Sequence, residues 1–328
     1  MEAKSCQPAS RLLVFRQTMN DLETFSAEDL ISSPEKFSTF DPPVRFAVAG
    51  DPVAHSKSPA FQNAALEACG IRARYARLHL PQALAAEAFR ALPAAGFRGV
   101  NVTIPLKAVA LATVDVADHF AHRAGAVNTI AIDGSKLVGY NTDGPGFVRA
   151  IREEFSVDLR DVRVLLLGAG GGAGRAIAVQ CAMESCKRLT LVNRTFEKAR
   201  SLADELDSFF PNDLPATPTK RILAIPFEEA SLREQLAHTD LVINATSVGM
   251  KQSDAPLIPP ALLTPNLMVY DAVYSSGTSR LIEDATAAGA RAANGLSMLL
   301  HQGALSFEIW FNRPAPLEIM RRALLEIS

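Results

Sequence analysis

Cysteine is scarce in this sequence, and long apolar runs are absent. The four cysteines, Cys6, Cys69, Cys181 and Cys186, have no metal-binding spacing and are too few for a disulfide framework in a chain of 328 residues. No apolar segment approaches the roughly 20 residues that a membrane-spanning helix needs. We therefore expect a protein of the reducing cytoplasm without a membrane partner.

An excess of charge of one sign is also lacking. The formal net charge is −2, with 33 lysine and arginine residues against 35 aspartate and glutamate residues. This balance gives no indication of a nucleic-acid partner, which requires a basic surface. The six histidines do not cluster like a ligand set, so no metal is expected. The hydrophobic content of 48% is typical of a globular enzyme, and the length allows two domains.

A glycine-rich turn follows the apolar residues 164–167, which predict a buried parallel strand, and a helical pattern begins near Ala173. Gly168-x-Gly170-x-x-Ala173, with Gly174 one place further, fits the fingerprint of a dinucleotide-binding turn. There, glycines let a pyrophosphate approach the backbone at a helix N-terminus. A flexible linker is the alternative, but linkers do not follow buried strands. We predict cofactor contacts from Gly168, Gly170, Gly171, Gly172 and Ala173.

The end of the next predicted strand, Arg188–Val192, indicates the type of cofactor. An NAD-type fold places an acidic residue there to bind the adenine ribose, but this chain has Asn193-Arg194-Thr195, with Lys198 a turn later. Surface cations are the alternative interpretation. The position favours a 2′-phosphate site, because a guanidinium makes charge-assisted hydrogen bonds to phosphate. The sequence therefore predicts NADP(H) as the cofactor.

Two serines precede the predicted helix Phe61–Ala68. Ser58 before Pro59 is typical of an N-cap followed by N1, whereas Ser56 is left without a structural role. Two hydroxyls at a helix N-terminus suit a small carboxylate. Capping alone and anion binding both remain open for this stretch.

Lys107 lies just after a predicted strand that runs into a helix at Pro105. Its place in the first helical turn is electrostatically unfavourable, and the polar residues Asn101 and Thr103 precede it at the carboxyl end of the strand. A solvated lysine is the common alternative. The crossover favours a ligand site, because open α/β sheets bind ligands at the carboxyl ends of their strands.

Asp143 introduces the predicted helix Phe147–Glu154. It is a candidate N-cap with Pro145 near N1, or a functional carboxylate facing Lys107. Asn128 precedes a predicted strand and has the alternative of a turn residue.

Taken together, eight motifs in this order resemble the shikimate dehydrogenase family, including its quinate/shikimate relatives. The resemblance extends from about Phe46 to the C-terminus. The glycine turn is one residue longer than the family's usual Gly-Ala-Gly-Gly-Ala, which leaves open how residues 172–174 meet the pyrophosphate. The motifs are Ser-Lys-Ser-Pro at 56–59, Asn-Val-Thr-x-Pro-x-Lys at 101–107, Gly-Ala-Val-Asn-Thr at 125–129, Asn-Thr-Asp-Gly at 141–144, the glycine turn, Asn-Arg-Thr at 193–195, Asn-Ala-Thr-Ser-x-Gly-Met at 244–250 and Gly-Leu-x-Met-Leu-x-x-Gln at 295–302.

The resemblance implies a two-domain α/β protein with a catalytic cleft between the domains. Residues 44–143 and 295–328 would form an α/β substrate domain, and residues 144–294 a Rossmann-like, doubly wound NADP-binding domain. Residues 1–43 lie mostly outside the resemblance and form an N-terminal extension, of which we expect residues 1–18 to be a disordered tail. Within the extension, Ser26 and Asp29 predict a capping box on a short helix.

The activity implied is the reversible NADPH-dependent reduction of 3-dehydroshikimate to shikimate, towards chorismate and the aromatic amino acids. By the same resemblance, Lys107 and Asp143 form the catalytic pair of a cytoplasmic monomer or homodimer. Substrate-binding roles fall to Ser56, Ser58, Thr103, Asn128, Tyr274 and Gln302. Cofactor-binding roles fall to Thr246, Ser247, Gly295 and Met298, in addition to the glycine turn and Asn193, Arg194, Thr195 and Lys198.

Two alternatives accompany this interpretation. The same fold could act mainly on quinate, although the two serines at 56 and 58 weakly favour shikimate. A non-catalytic relative could instead sense shikimate or quinate for a partner protein. Retention of both Lys107 and Asp143 argues against a sensor, which has no need of proton transfer.

Overall fold

The structure is a computed structural model that describes residues 24–208, 221–249, 254–273 and 278–327. The described chain divides into two compact units. The first comprises residues 24–116, 129–139 and 318–327, and the second comprises residues 117–128 and 140–317. The predicted disordered tail, residues 1–18, lies outside the described residues. In the described part of the chain, no helix has both the length and the apolar character to span a bilayer.

The first unit is built on a seven-stranded sheet. In space the strands lie in the order β1-β3-β2-β4-β6-β7-β5. The neighbours β1–β3, β3–β2 and β2–β4 are parallel, and β4–β6 is antiparallel. The strands are β1 (Thr24–Ser26), β2 (Val44–Gly50), β3 (Arg74–His79), β4 (Gly99–Val102), β5 (Val116–Ala117), β6 (Thr129–Asp133) and β7 (Lys136–Tyr140).

Helices follow most of these strands, because parallel strands need crossover connections. The helices α1–α4 are α1 (Ala27–Ser32), α2 (Ser58–Ala68), α3 (Ala85–Ala91) and α4 (Lys107–Thr113), and Pro34–Ser38 is a 3₁₀ helix. The predicted capping box on α1 is confirmed, because Asp29 N donates to Ser26 Oγ and Ser26 N donates to Asp29 Oδ2.

The described part of the predicted N-terminal extension belongs to the first unit. Strand β1 pairs with β3, and Phe25, Leu30 and Phe37 are all buried. Phe37 also packs edge-on against Phe97, with ring centroids 5.0 Å apart. Residues 24–43 are therefore an integral layer of this unit and do not form a separate arm.

The second unit contains a six-stranded sheet in the order β10-β9-β8-β11-β12-β13, with every neighbouring pair parallel. The first three strands run outward in one direction and the last three in the other, which is the order of a doubly wound dinucleotide fold. The order reverses between β8 and β11, so the expected ligand crevice lies at their carboxyl ends. The strands are β8 (Arg163–Leu167), β9 (Arg188–Asn193), β10 (Ile222–Pro226), β11 (Leu241–Asn244), β12 (Met268–Asp271) and β13 (Arg291–Asn294).

Both faces of this sheet are buried, which explains its nearly continuous apolar strands. In β8, Val164 and Leu166 join one apolar cluster, while Leu165 and Leu167 join the cluster on the other face. The alternation follows from the two-residue period of a strand. The predicted buried strand at 164–167 is confirmed. The sequence also predicts a strand over 241–244, and β11 has those bounds.

The helices of the second unit are α5 (His119–Ala124), α6 (Asp143–Phe155), α7 (Gly172–Met183), α8 (Phe196–Asp207), α9 (Glu229–Leu236), α10 (Arg280–Ala287) and α11 (Leu296–Phe311); α12 (Leu317–Leu325) follows, largely in the first unit. The sequence predicts a long helix over 296–311, and helix α11 has those bounds. It packs closely on α6, since a Cβ on Gly146 would lie 2.8 Å from Gln302 N. Helix α11 therefore belongs to the second compact unit, whereas the sequence prediction grouped residues 295–328 with the first.

Candidate cofactor and substrate sites

The glycine turn connects β8 to α7 through backbone geometry that requires glycine at two positions. Gly168 has φ of +85°, and a Cβ there would lie 2.8 Å from the Ala245 carbonyl carbon. A Cβ on Gly174 would overlap the carbonyl oxygen of Gly168. Close helix–strand packing, the role of the third small residue in the fingerprint, therefore falls to Gly174 and not to Ala173. At Gly172, by contrast, a Cβ would meet nothing within 4 Å, so packing does not require glycine there.

Helix α7 begins at Gly172 without a side-chain cap, so no side chain occupies its first N–H groups. A cavity of about 390 Å³ opens at this turn, on the carboxyl side of β8 and β11. The predicted crevice and the observed cavity therefore coincide. The lining residues that the sequence predicted for the cofactor are Gly168, Gly170, Gly171, Asn193, Arg194, Thr195, Lys198, Thr246 and Ser247.

Four predicted cofactor residues do not line this cavity. Gly172 and Ala173 form the first turn of α7. Gly295 precedes α11, and a Cβ on Gly295 would overlap the Ala272 carbonyl oxygen. Met298 is buried in the apolar core, and its backbone N–H donates to the Tyr270 hydroxyl. Packing accounts for Gly295 and Met298 in this unit, and their cofactor roles stay predictions.

The end of the cavity at β9 is basic. Asn193 Nδ2 donates to the backbone oxygen of Thr195 over 2.9 Å, which fixes the bend after the strand. Arg194 and Lys198 are both exposed there, and the described lining residues include no carboxylate. Two cations beside backbone and hydroxyl donors fit an anionic ligand such as a ribose phosphate.

The loop after β11 is held by Asn244, whose side chain is fully buried. Its Oδ1 accepts hydrogen bonds from the backbone N–H and the hydroxyl of Thr246, over 2.9 and 2.7 Å. Its Nδ2 donates to Asp271 Oδ1 over 2.8 Å and to the Val248 carbonyl oxygen over 3.0 Å. This network fixes the position of Thr246 and Ser247 at the cavity wall.

Asp271 anchors this network from the end of β12. It is fully buried and also accepts hydrogen bonds from Ser279 Oγ and Val273 N. Burial raises the pKa of the Asp271 carboxyl, and the hydrogen bond from Ser279 opposes that rise. The carboxylate is thus a structural acceptor in the wall behind the cavity.

Several apolar lining residues were not identified from the sequence. They are Leu167, Val192, Phe227, Ala245, Val248 and Leu257. Phe227 follows β10, a strand that the sequence analysis did not predict. Parallel strands end at the same edge of a sheet, so a prediction of β10 beside Arg188–Asn193 would have placed Phe227 near the cavity. No other feature of the sequence pointed to this residue.

Asp143 is not an N-cap, so the capping alternative for this residue is wrong. The cap position belongs to Thr142, whose backbone is already in the right-handed helical region and whose side chain caps nothing; Asp143 is the first helical residue. Asn128 Nδ2 donates to Asp143 Oδ1 over 2.8 Å, and Asn128 Oδ1 accepts from Thr142 N over 2.7 Å. Asn128 and Asp143 are 2% and 6% exposed. Asn128 therefore positions a buried carboxylate, which a turn residue would not do.

Helix α11 extends this polar network. Ser306 Oγ lies 3.4 Å from Thr142 Oγ1 and donates to the Gln302 carbonyl oxygen over 2.9 Å. The Gln302 side chain donates to the Leu299 carbonyl oxygen over 2.9 Å. The structure thus brings three predicted site residues, Asn128, Asp143 and Gln302, into the region where α6 and α11 pack.

Ser58 is not the N-cap of α2, so that prediction is also wrong. The helix begins at Ser58, and the preceding residue Lys57 already has helical dihedral angles. Ser58 is buried, and its hydroxyl hydrogen-bonds to that of Tyr75. Ser56 Oγ accepts the Ser58 backbone N–H over 3.3 Å, and its hydroxyl proton remains a donor at the start of the helix.

Lys107 is the first residue of α4, so its predicted place in the first helical turn is confirmed. Lys107 and Thr103 are both half-buried. Asn101 has a structural role, because it accepts from the buried Tyr75 hydroxyl over 2.8 Å and donates to Thr129 Oγ1 over 3.0 Å. Burial raises the pKa of Tyr75 well above its usual value. Tyr274 lies outside the described residues.

Comparison with family models gives three consecutive matches. Residues 48–130 match the shikimate dehydrogenase substrate binding domain, residues 150–251 match shikimate / quinate 5-dehydrogenase, and residues 295–325 match the shikimate 5′-dehydrogenase C-terminal domain. The matches cover the strands and turns that carry most of the predicted site residues.

Relatives of known name are similar along almost their whole length. The shikimate dehydrogenase (NADP(+)) of Methanopyrus kandleri is 38% identical over 84% of this chain and 93% of its own. The enzyme of the same name from Symbiobacterium thermophilum is 41% identical over 85% of this chain and 92% of its own.

Solved structures show the same architecture. A shikimate dehydrogenase in complex with NADP+ superposes with a TM-score of 0.79 at 33% identity, covering 87% of this chain and 96% of its own. The Thermus thermophilus enzyme in complex with NADP(H) and shikimate gives 0.76 at 34% identity, covering 87% and 100%. A quinate dehydrogenase from Corynebacterium glutamicum in complex with NAD gives 0.74 at 26% identity, covering 86% and 99%.

Proposed function

The chain belongs to the shikimate dehydrogenase family, and on that premise we propose that it catalyses the reversible reduction of 3-dehydroshikimate to shikimate by NADPH. The observation that carries the proposal is the cavity of the second unit, where the glycine turn, the basic strand end at Arg194 and the Thr246 loop converge. Two relatives named shikimate dehydrogenase (NADP(+)), 38% and 41% identical to this chain, support the same activity. The protein is an NADP-dependent oxidoreductase of this family.

The cavity fits NADP(H). The N–H groups at the start of α7 and the close backbone at Gly168 suit the pyrophosphate, and Arg194 with Lys198 suits the 2′-phosphate. Ser247 adds a hydroxyl donor to the lining, next to Thr246, whose hydroxyl donates to Asn244 Oδ1. When bound, the nicotinamide supplies the hydride to the substrate ketone or accepts it from the alcohol.

Lys107 and Asp143 are the proposed catalytic pair. Negative charge develops on the ketone oxygen during reduction, and an ammonium group beside that oxygen stabilises the charge and can supply the proton. Lys107 has this chemistry at the start of α4. The Asp143 carboxylate, held by Asn128, binds a substrate hydroxyl and shares the handling of the proton with Lys107.

The substrate carboxylate is assigned to Ser56 and Ser58 at the start of α2. Ser56 is the better placed of the two, because its hydroxyl proton is available whereas the Ser58 hydroxyl is hydrogen-bonded to Tyr75. The ring hydroxyls of the substrate are assigned to Thr103, Gln302 and Tyr274, together with Asn128. On this proposal the first unit contributes Lys107 and the substrate-binding residues Ser56, Ser58 and Thr103. The second unit contributes the cofactor site, Asp143 and the other substrate-binding residues.

The proposal places the enzyme in the cytoplasm as a monomer or homodimer acting on shikimate in preference to quinate. Cys181 and Cys186 are buried free thiols, which suits a reducing compartment. The relatives named above support shikimate over quinate, since the quinate dehydrogenase structure is less similar in sequence.

A turnover assay with NADPH and 3-dehydroshikimate tests this function. We expect oxidation of NADPH in the forward direction, and in the reverse direction a kcat/KM for shikimate at least ten times that for quinate. A quinate preference would identify a quinate dehydrogenase. Binding of shikimate without turnover of either acid would identify a sensor. Light scattering of the same sample gives the oligomeric state.

A further inference from the structure

Phe227 lines the cofactor cavity but has no assigned role in the proposed function. Its side chain is 41% exposed, although phenylalanine is usually buried. A single exposed apolar side chain needs no functional explanation. However, the position of Phe227 beside the basic end of the cavity indicates a functional role for this side chain.

The position of Phe227 is set by the register of two strands. Strand β10 pairs in parallel with β9 so that Pro226 lies opposite Asn193. One residue further along each strand, Phe227 and Arg194 reach the same carboxyl edge of the sheet, and both line the cavity. The Glu228 N–H donates to the Pro226 carbonyl oxygen over 3.0 Å, which closes a tight turn around Phe227 before α9 begins. The ring is therefore presented by a fixed turn.

The remaining lining explains what kind of group this end accepts. Val192, Val248 and Leu257 provide an apolar surface beside the cations Arg194 and Lys198. A purine attached to a phosphorylated ribose combines a flat apolar ring with nearby negative charge. Aromatic side chains stack on the face of any such base.

We propose that Phe227 is the stacking platform for the adenine ring of the cofactor. This inference rests on the proposed function, because it assigns a residue to the NADP(H) site. Phe227 acts on affinity and on the position of the cofactor, and it does not touch the reacting atoms. Adenine is common to NADP(H) and NAD(H), so Phe227 should stabilise both equally, whereas Arg194 and Lys198 distinguish them by the 2′-phosphate.

The test measures dissociation constants for NADPH, NADH and adenosine 2′,5′-bisphosphate. The variants are Phe227→Ala, Phe227→Leu, which keeps apolar bulk without an aromatic face, and Phe227→Tyr, which keeps the ring. Met183→Ala is the matched control, because Met183 is also 41% exposed in the second unit and is absent from the cavity lining. Thermal unfolding of each variant checks that it is folded.

We expect Phe227→Ala to raise the dissociation constants of all three ligands by about 5- to 100-fold. The increase should be the same for NADPH and for NADH. Phe227→Leu should lose most of the same affinity, while Phe227→Tyr and Met183→Ala should bind like the wild type. Reduced nicotinamide mononucleotide, which lacks adenine, should bind Phe227→Ala and the wild type equally.

Three results would overturn the inference. The first is that Phe227→Ala binds adenosine 2′,5′-bisphosphate with an affinity within twofold of that of the wild type. Another is a loss confined to NADPH, which would place Phe227 at the phosphate. The third is wild-type affinity in Phe227→Leu. If the wild type bound neither NADPH nor NADH, the proposed function would fail, and the inference would fail with it. The wild-type titration alone shows that outcome, so it is distinguishable from failure of the inference only.

Discussion

Asn128 donates from Nδ2 to Oδ1 of Asp143 over 2.8 Å, and both side chains are buried. The amide is oriented in turn by Thr142, whose backbone N–H donates to Asn128 Oδ1. A buried carboxylate is costly without donors, and this pair supplies one in a fixed direction. The motif around 125–129 and the motif around 141–144 therefore form one structural group in the second unit.

Asn128→Ala should lower both stability and turnover. The buried carboxylate of Asp143 would lose a charge-assisted hydrogen bond, at a cost of about 1.5–3 kcal/mol in the free energy of unfolding. The kcat should fall by about 10- to 100-fold, because Asp143 would no longer be held in one orientation. Gln235→Ala is the control. Gln235 lies outside both proposed sites, and its buried side-chain amide also has a charged hydrogen-bond partner, Arg188. It should lower the melting temperature only. Wild-type kcat in folded Asn128→Ala would contradict a positioning role.

Lys107→Ala should abolish most turnover without affecting the fold. Loss of the group that stabilises the developing oxyanion and supplies a proton should lower kcat by about 10²–10⁴-fold. The NADPH dissociation constant and melting temperature should stay unchanged, because Lys107 lies outside the cofactor cavity lining. Lys136→Ala, an exposed lysine at the start of β7, is the matched control. A kcat within a few-fold of wild type would show that Lys107 is only a solvated lysine.

Ser56→Ala and Ser58→Ala should separate substrate binding from stability. Ser56 has a donor available for the substrate carboxylate, so Ser56→Ala should raise KM for shikimate about 5- to 30-fold with little change in melting temperature. Ser58 is buried against Tyr75, so Ser58→Ala should destabilise the protein by about 1 kcal/mol. Steady-state kinetics and thermal unfolding of both variants check this. Unchanged KM with a lowered melting temperature in Ser56→Ala would make that hydroxyl purely structural.

Cofactor choice should depend on the end of β9. Arg194 offers phosphate oxygens a planar cation, so the wild type should prefer NADP(H) over NAD(H) by about 100-fold. Asn193→Asp with Arg194→Ala should remove most of this preference, chiefly by weakening NADP(H), and high salt should act in the same direction. Arg200→Ala is the control, because Arg200 is an exposed cation of α8 paired with Glu197 and is not a lining residue. Titration of both cofactors at two salt concentrations provides the measurement. An undiminished preference in the double variant would assign the 2′-phosphate to other residues.

The pair Arg163–Asp240 should contribute to stability but not to activity. Arg163 donates from Nε, Nη2 and its backbone N to the Asp240 carboxylate at the start of β8 and β11, the edge opposite the cavity. The hydrogen bond from Arg163 holds the pKa of Asp240 below its usual 3.8. A lowered folded-state pKa means that the stabilisation is present above the unfolded-state pKa and is lost as pH falls through the folded-state value.

Asp240→Asn should therefore lower the free energy of unfolding by roughly 0.5–1 kcal/mol at neutral pH, since the pair is partly exposed. The difference from wild type should vanish at a pH below the folded-state pKa of Asp240. Denaturant unfolding across that pH range, combined with Arg163→Ala in a double-mutant cycle, measures it. A pH-independent difference would mean that the amide disturbs packing and that the ion pair contributes nothing.

Local sequence patterns were sufficient for much of the second unit. The apolar run at 164–167 is a strand and the segment 296–311 is a long helix in the structure, as the sequence predicts. The glycine turn between a buried strand and a helix was identified for the same reason, because its requirements lie within about ten consecutive residues. Strand β13, Arg291–Asn294, was missed because its sequence, Arg-Ala-Ala-Asn, has no β-branched or aromatic residue, and its conformation depends on pairing with β12.

The two predicted N-caps failed for a shared physical reason. A capping residue needs an extended backbone, but the residues before Ser58 and Asp143 already have helical dihedral angles. Each helix therefore begins at the residue that was expected to cap it. Residue type alone does not fix those dihedral angles. Packing around Tyr75 and Asn128 engages the side chains in other hydrogen bonds.

The sequence by itself determined the family, the type of cofactor turn and the chemistry available at each strand end, because these depend on residue identity at short spacing. Only the tertiary structure decided that Gly174 is the close-packing position of the turn, that Asn128 holds Asp143, and that Phe227 reaches the side of Arg194. These relationships join residues between 6 and 33 positions apart in the chain. They depend on strand register and side-chain direction, which the packing of the whole sheet fixes and no local pattern records.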